Sequence, residues 1–306
     1  RVNGRSVVVG SHYMLNRRRQ YRHRSRAGDI LIGAYSLGSQ WPPKPLESDS
    51  APGDSFHPIR VDQGLWIVPS WATLPDELSQ DQSQDQSPLA ITLEPGLAFG
   101  TGDHPTTRLC LRWLRSVVTP GSTLLDYGTG SGVLAIAGIK MGAAAAVGVD
   151  IDELSVAAAA HNASLNSVPS SQFTVLLTHP DGPDPLNEFD NNEAGGTRAR
   201  ELRGGDGVTL PSLPAELAVS DSSEPRVLFD VVAANILVNP LLLLAERISS
   251  RTKPGGRLGL SGILTNQVEQ VVTAYTPYAK VISVEEEDGW ALVSLAKKPV
   301  KLFKKN

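Results

Sequence analysis

Leu124-Leu125-Asp126-Tyr127-Gly128-Thr129-Gly130-Ser131-Gly132-Val133-Leu134-Ala135 decides the fold of this chain. An apolar strand, Thr123 to Leu125, runs into Asp126. Three glycines at alternate positions then make a bend, and a helix opens that is predicted over Val133 to Met141. A second apolar strand, Ala146 to Val149, ends in a second acid, Asp150. Strand, bend, helix and strand make a β-α-β unit suited to a nucleoside. Glycine lets the backbone approach a ligand with no Cβ between them. An acid closing the second strand can accept both hydroxyls of a ribose.

The glycine spacing separates two cofactors. A dinucleotide fold uses G-x-G-x-x-G, which seats a pyrophosphate on the helix N-terminus. Here the order is Asp126-x-Gly128-x-Gly130-x-Gly132, with no basic residue in the turn. That is the usual arrangement of Rossmann-like methyltransferases that use S-adenosylmethionine. In them the loop lies under the methionine part of the cofactor and the acid before it helps hold the amino group. A side chain at Gly128 is therefore expected to occupy cofactor space.

Outward from this unit, helices are predicted over Thr106–Val117, Leu154–Asn166, Pro240–Ser250 and Asn266–Tyr275. Strands are predicted over Phe173–Leu177, Leu228–Ala234, Arg257–Leu260, Val281–Glu286 and Ala291–Ala296. Alternating strands and helices predict an α/β fold with a mainly parallel sheet covered on both faces. Seven strands are expected, the last two forming an antiparallel hairpin. Residues 179–226 are rich in Gly, Pro, Asp, Asn and Ser, a composition that cannot offset its ordering entropy, and read as a flexible insertion. The expected organisation is an N-terminal extension over 1–55, a strand-like lead-in and linker over 56–90, a catalytic domain over 91–298 and a basic tail over 299–306.

The chain has 306 residues, 41% hydrophobic and 20% charged, the composition of a globular protein. No apolar run reaches the ~20 residues of a membrane span. A net charge of −4 gives no global field for nucleic acid. The single cysteine, Cys110, excludes an intrachain disulfide and a Cys-based zinc site, and its apolar setting reads as a packing thiol. The first 28 residues hold eight arginines and no acid, which is read equally as an organellar transit segment or an exposed basic tail. The compartment expected is cytoplasm, chloroplast or mitochondrion.

Two further clusters fall on the carboxyl edge of the predicted sheet, where open α/β folds bind ligands. Phe99-Gly-Thr-Gly-Asp-His-Pro-Thr-Thr107 leads into the first helix. Thr106 or Thr107 suits a helix cap, and an inward hydroxyl suits a cofactor carboxylate. His104 in the same turn reads as a loop-holding residue ahead of a base. Asn235 closes the apolar strand in Ala233-Ala-Asn-Ile-Leu237, where an unpaired amide would cost about 1–3 kcal/mol. Asp152 reads as a helix cap, Asn166 as a helix-end residue sharing a face with Asn162, and Glu285–Asp288 as a solvated turn. No metal-ligand spacing is present.

Phe99–Thr107, Asp126–Gly132, Gly148-Val-Asp-Ile-Asp152, Ala234-Asn-Ile-Leu237 and Leu260-Ser-Gly-Ile-Leu264 together resemble the ribosomal protein L-eleven methyltransferases (PrmA). Phe56-His-Pro-Ile-Arg60 and Leu65–Trp71 are similar to that family's approach to its catalytic domain. The resemblance covers about residues 56–298. It implies cofactor contacts at Thr107, Gly128, Asp150 and Asn235. It also implies methylation of lysine ε-amines and an N-terminal α-amine on a large-subunit ribosomal protein. Residues 1–55 do not resemble the family's recognition domain. With the acid and glycine of the loop added, the candidate cofactor set is Thr107, Asp126, Gly128, Gly130, Asp150 and Asn235. No residue is assigned as general base. The alternatives are a lysine methyltransferase with another protein substrate, an NAD-dependent oxidoreductase, and a non-catalytic interaction module.

Overall fold

The computed structural model describes residues 57–73, 88–95, 100, 102–179, 182–189 and 227–299. The arginine-rich segment, most of the 179–226 stretch and the basic tail beyond Pro299 lie outside these residues, as do Phe99 and Thr101.

The larger sheet has seven strands. In chain order they are β4 (Thr123–Tyr127), β5 (Ala145–Asp150), β6 (Phe173–Leu177), β7 (Phe229–Asn235), β8 (Thr252–Leu264), β9 (Ala279–Glu287) and β10 (Trp290–Lys297). Their spatial order is β6-β5-β4-β7-β8-β10-β9. The first five in space run parallel, and β10 is antiparallel to both its neighbours. The closing hairpin is present, but its last strand inserts between β8 and β9, so β9 forms the edge. Strands β4 and β5 are buried almost throughout, as continuous apolar runs covered on both faces require.

Helix α1 (Pro105–Val117) buries Leu109, Cys110, Leu111, Trp113 and Leu114. Proline at its first position suits a helix start, where the missing N–H costs nothing. The Trp113 indole donates to Ser294 Oγ at 3.0 Å. The ring packs against Gly259, where a Cβ would come within 2.5 Å of it. Helices α2 (Val133–Lys140) and α3 (Glu153–Leu165) follow β4 and β5.

The single helix expected over 240–250 is two: α4 (Val238–Leu243) and α5 (Ala245–Ser250), broken at Leu244. The buried Tyr275 hydroxyl, at the end of α6 (Val268–Tyr275), donates to the Leu241 carbonyl at 3.0 Å. That carbonyl is the one residue 245 would use to continue the helix. The strand expected over 257–260 is longer at both ends.

The lead-in is a second sheet: β1 (Ile59–Asp62) antiparallel to β2 (Leu65–Pro69), with β3 (Leu89–Leu93) parallel to β2. Pairing of β2 with β3 crosses the boundary expected between residues 90 and 91. Val61, Leu65, Ile67, Ile91 and Leu93 share one core with Leu109, Trp113 and Ala159. Among the described residues no helix is long and apolar enough to cross a membrane.

Candidate functional site

Register brings three strand ends together. Asp126 pairs with Gly148 on one side and Ala233 on the other, so Asp126, Asp150 and Asn235 close adjacent strands at one edge. The loop from β4 to α2 bends between them, with Gly128, Gly130 and Gly132 all at positive φ (80°, 52° and 80°). That region of backbone is open to glycine and strained for other residues.

Asp126 is fully buried. Its Oδ2 accepts from Thr129 Oγ1 at 2.8 Å and from the Ala135 N–H at 3.2 Å, while Oδ1 has no partner. Burial pushes its carboxyl up to about 7, against the pull of those two donors. Asp150 holds the loop from the next strand: Oδ2 accepts from the Gly130 N–H at 2.9 Å and Oδ1 from the Asp152 N–H at 3.0 Å. Burial raises the Asp150 carboxyl too, offset by these backbone donors. The Ile151 N–H also draws on this carboxylate, which leaves at least one of its four lone-pair sites open.

The two threonines separate. Thr106 Oγ1 lies 2.7 Å from His104 Nδ1, inside the local cap. Thr107 Oγ1 is buried with no partner, and so is Asn235 Oδ1. His104 caps α1 through Nδ1 and meets the Trp290 ring edge-on at 4.4 Å between centroids. Burial and the Arg108 guanidinium hold its imidazole below the ordinary range. Its contacts are those of a loop-holding residue. Asp152 caps α3, accepting from the Leu154 N–H at 3.1 Å. Cys110 is buried, and burial pushes its thiol far above the ordinary range, as a packing residue requires.

Two readings from sequence change. A Cβ at Gly128 would meet Ile236 Cγ2 at 2.2 Å, so a side chain there collides first with protein. The same Asn235-Ile236 segment passes over Gly262, where a Cβ would lie 2.3 Å from the Ile236 carbonyl oxygen. The run 285–288 is not simply a solvated turn. Glu287 is ion-paired to Arg108 and Arg112 of α1, with Arg108 Nε 2.6 Å from Oε1. Sequence reasoning also missed Ile236, Ser131 and the depth of Asn162. Two asparagines four apart on an alanine-rich helix were the available signal.

The residues suit S-adenosylmethionine on the structure's own terms. Orphaned buried acceptors on Thr107, Asp126 and Asn235 flank a glycine bend, beside the Asp150 carboxylate that holds it. Among the described residues no group of three His, Cys, Asp or Glu is placed to hold a metal.

A sequence profile described as "Ribosomal protein L11 methyltransferase (PrmA)" matches residues 49–191 and 209–298. The chain belongs to the ribosomal protein L11 methyltransferase (PrmA) family. A PrmA relative from Neisseria meningitidis serogroup A is 40% identical over 243 residues, covering 79% of this chain and 64% of the relative. One from Cupriavidus taiwanensis is 40% identical over 235 residues, covering 77% of this chain and 61% of its own. The chain thus spans less than two thirds of these PrmA relatives. The crystal structure of a ribosomal protein L11 methylase from Lactobacillus delbrueckii subsp. bulgaricus aligns at 27% identity and a TM-score of 0.57, over 79% of this chain and all of that one. PrmA membership sets aside the nicotinamide oxidoreductase reading.

Proposed function

We propose that this protein transfers methyl groups from S-adenosylmethionine to amino groups of a large-subunit ribosomal protein, at lysine ε-amines and an N-terminal α-amine. The observation that carries the reading is the set of buried acceptors without protein partners on Thr107, Asp126 and Asn235. Leaving such groups unsatisfied costs about 1–3 kcal/mol each, and a polar ligand relieves that cost.

When bound, S-adenosylmethionine would supply an electrophilic methyl on its sulfonium, open to in-line attack by a neutral amine, with the N–C bond forming as the C–S bond breaks and the neutral thioether leaving. Asp150 would accept from the ribose while keeping Gly130 in place. Asp126 Oδ1 would accept from the ammonium group. Thr107 and Asn235 would supply the remaining polar contacts, and Gly128 and Gly130 the close backbone approach. The protein's main contribution is then positioning, an effect that reaches ~7–11 kcal/mol in well-oriented systems. A lysine amine, with a reference pKa of ~10.4, must lose its proton before it reacts. Desolvation at this edge favours the neutral form.

The family membership and the names of the relatives support the ribosomal substrate. Calorimetry with S-adenosylmethionine and with NAD, followed by labelled-methyl transfer to isolated large-subunit proteins and to unrelated lysine-rich proteins, tests the reading. Micromolar binding of S-adenosylmethionine alone, with label on one ribosomal protein, is expected. Binding of NAD alone, or label on unrelated proteins only, overturns it. For the compartment, residues 1–28 fused to a fluorescent reporter distinguish import into an organelle from cytosolic retention.

A further inference from the structure

The glycine bend is held from behind by a residue that no motif marked. Asn162 lies on α3 and is buried. Its Nδ2 donates to the Ser131 carbonyl at 2.8 Å, in the middle of the bend. Its Oδ1 accepts from the Glu94 N–H at 2.8 Å, just past β3. One helical turn earlier on the same face is Ala159, and a Cβ on Gly132 would come within 3.0 Å of its methyl. So α3 offers the bend a small residue that lets it approach and an amide that catches it. Ser131 passes the connection on, its Oγ donating to the Gly100 carbonyl at 2.9 Å in the segment leading to α1.

We propose that Asn162 is the positioning residue of the cofactor loop, fixing the Thr129–Gly132 backbone from α3 and tying its shape to the strand that leaves the small sheet. The inference rests on the cofactor reading above for its consequence, though not for its geometry. The Gly128 and Thr129 N–H groups donate to the Val149 carbonyl at 2.7 and 3.1 Å, and beyond them two side chains hold the bend's backbone from opposite sides. On its open side Asp150 takes the Gly130 N–H, and that carboxylate is also the one offered to the ribose. On its closed side the buried Asn162 takes the Ser131 carbonyl from within the core. Of these two side chains only Asn162 is independent of binding, and it adds to the strand-end bonds at Val149 the hold on Ser131 that is in place before the cofactor arrives. A preformed loop binds more tightly because less ordering remains to be done on association.

Asn166, one turn later, is the internal control. Its Oδ1 accepts from the Thr92 N–H at 2.9 Å and its Nδ2 donates to the Thr92 carbonyl at 2.6 Å, bracketing β3 without touching the bend.

The test uses the full chain, comparing wild type with Asn162→Asp and Asn166→Ala. Asn162→Asp keeps the acceptor for Glu94 and replaces the donor to Ser131 with an oxygen. Hydrogen exchange is read at the Thr129, Gly130 and Gly132 amides without ligand, and S-adenosylmethionine affinity by calorimetry. Asn162→Asp is expected to speed loop exchange and raise the cofactor Kd by tenfold or more, with KM for the acceptor protein unchanged. Asn166→Ala is expected to keep both loop quantities within twofold while Thr92 exchanges faster. Loop exchange and Kd within twofold of wild type in Asn162→Asp overturn the inference, as does an equal effect from Asn166→Ala. If wild type fails to bind S-adenosylmethionine the cofactor reading falls, and the ligand-free exchange still decides whether Asn162 holds the loop. Asn162→Ser serves the same comparison where the aspartate variant does not fold.

Discussion

Asp126 and Gly128 are two residues apart, and each sets a measurable cost. Burial lifts the Asp126 carboxyl from 3.8 to about 7, so folding favours its protonated form. Stability from this group is present below about pH 4 and is lost as pH rises through about 7. Denaturant unfolding without ligand, measured from pH 4 to 8, should show wild type losing stability up to about pH 7 and levelling off above it, with Asp126→Asn losing little. Equal slopes would remove Asp126 as the cause. The sign reverses for a cationic ligand: an ammonium beside Oδ1 favours the ionised form, so S-adenosylmethionine should bind more tightly as pH rises through 7. At Gly128, alanine would combine a positive φ, costing about 1–2 kcal/mol, with overpacking against Ile236, typically about 1–3 kcal/mol. In a double-mutant cycle, Ile236→Ala should return the packing part and leave the backbone part. Strict additivity of the two variants would show that the contact is not made. Sequence spacing named this glycine, yet the colliding residue comes from 108 positions on, and no local pattern could supply it. The same holds for the two threonines: both suited a cap, and only packing shows that His104 takes Thr106 and leaves Thr107.

The hairpin of β9 and β10 ties one element to another. Asp288 and Gly289 sit at φ 51° and 79°, the pair of left-handed residues that a two-residue type I′ turn needs. Trp290 is thereby paired with Glu287, and Glu287 reaches Arg108 and Arg112 on α1, the helix that begins at Pro105 and bears Thr107. Burial alone would raise the Glu287 carboxyl; the two guanidiniums outweigh it and hold it below its ordinary value of 4.5. The stability it contributes is therefore present above that value and lost as pH falls through its lowered pKa. Glu287→Gln should cost up to about 1 kcal/mol at low salt and less at high salt, because the pair is partly exposed and screened. A loss independent of ionic strength would point to packing instead. Most elements were legible because their periodicity is local: the β-α-β unit, the parallel strands and the closing hairpin all follow from apolar runs and turn residues. The break at Leu244 was not, since it depends on a hydroxyl from the next helix. The position of β10 inside the sheet was not either, because a hairpin's own pattern does not say which of its strands pairs inward.

For the whole molecule, one guanidinium joins what the sequence separates. Arg251 is fully buried at the start of β8. Its Nε donates to Asp184 Oδ2 at 2.7 Å and its Nη2 to Asn187 Oδ1 at 2.6 Å, before residues 190–226. Its Nη1 donates to the Val227 carbonyl at 3.3 Å, after them. The stretch expected to be a loop from 179 therefore begins with an anchored 3-10 turn, Pro185–Phe189, at the core. Asp184, Asn187 and Val227 lie within reach of a single side chain, so a linker of about six Gly and Ser residues should join Phe189 to Val227. Replacing 190–226 in this way is expected to leave the midpoint of thermal unfolding within a few degrees and the affinity for S-adenosylmethionine within twofold. Arg251→Ala, which keeps every residue of the stretch but leaves Asp184 buried without its partner, should cost about 3–5 kcal/mol. The two outcomes must diverge if the neck and not the stretch carries stability. A shortened chain that unfolds with the arginine variant, or loses cofactor binding while still folded, would mean that residues 190–226 contribute to the core or to the site.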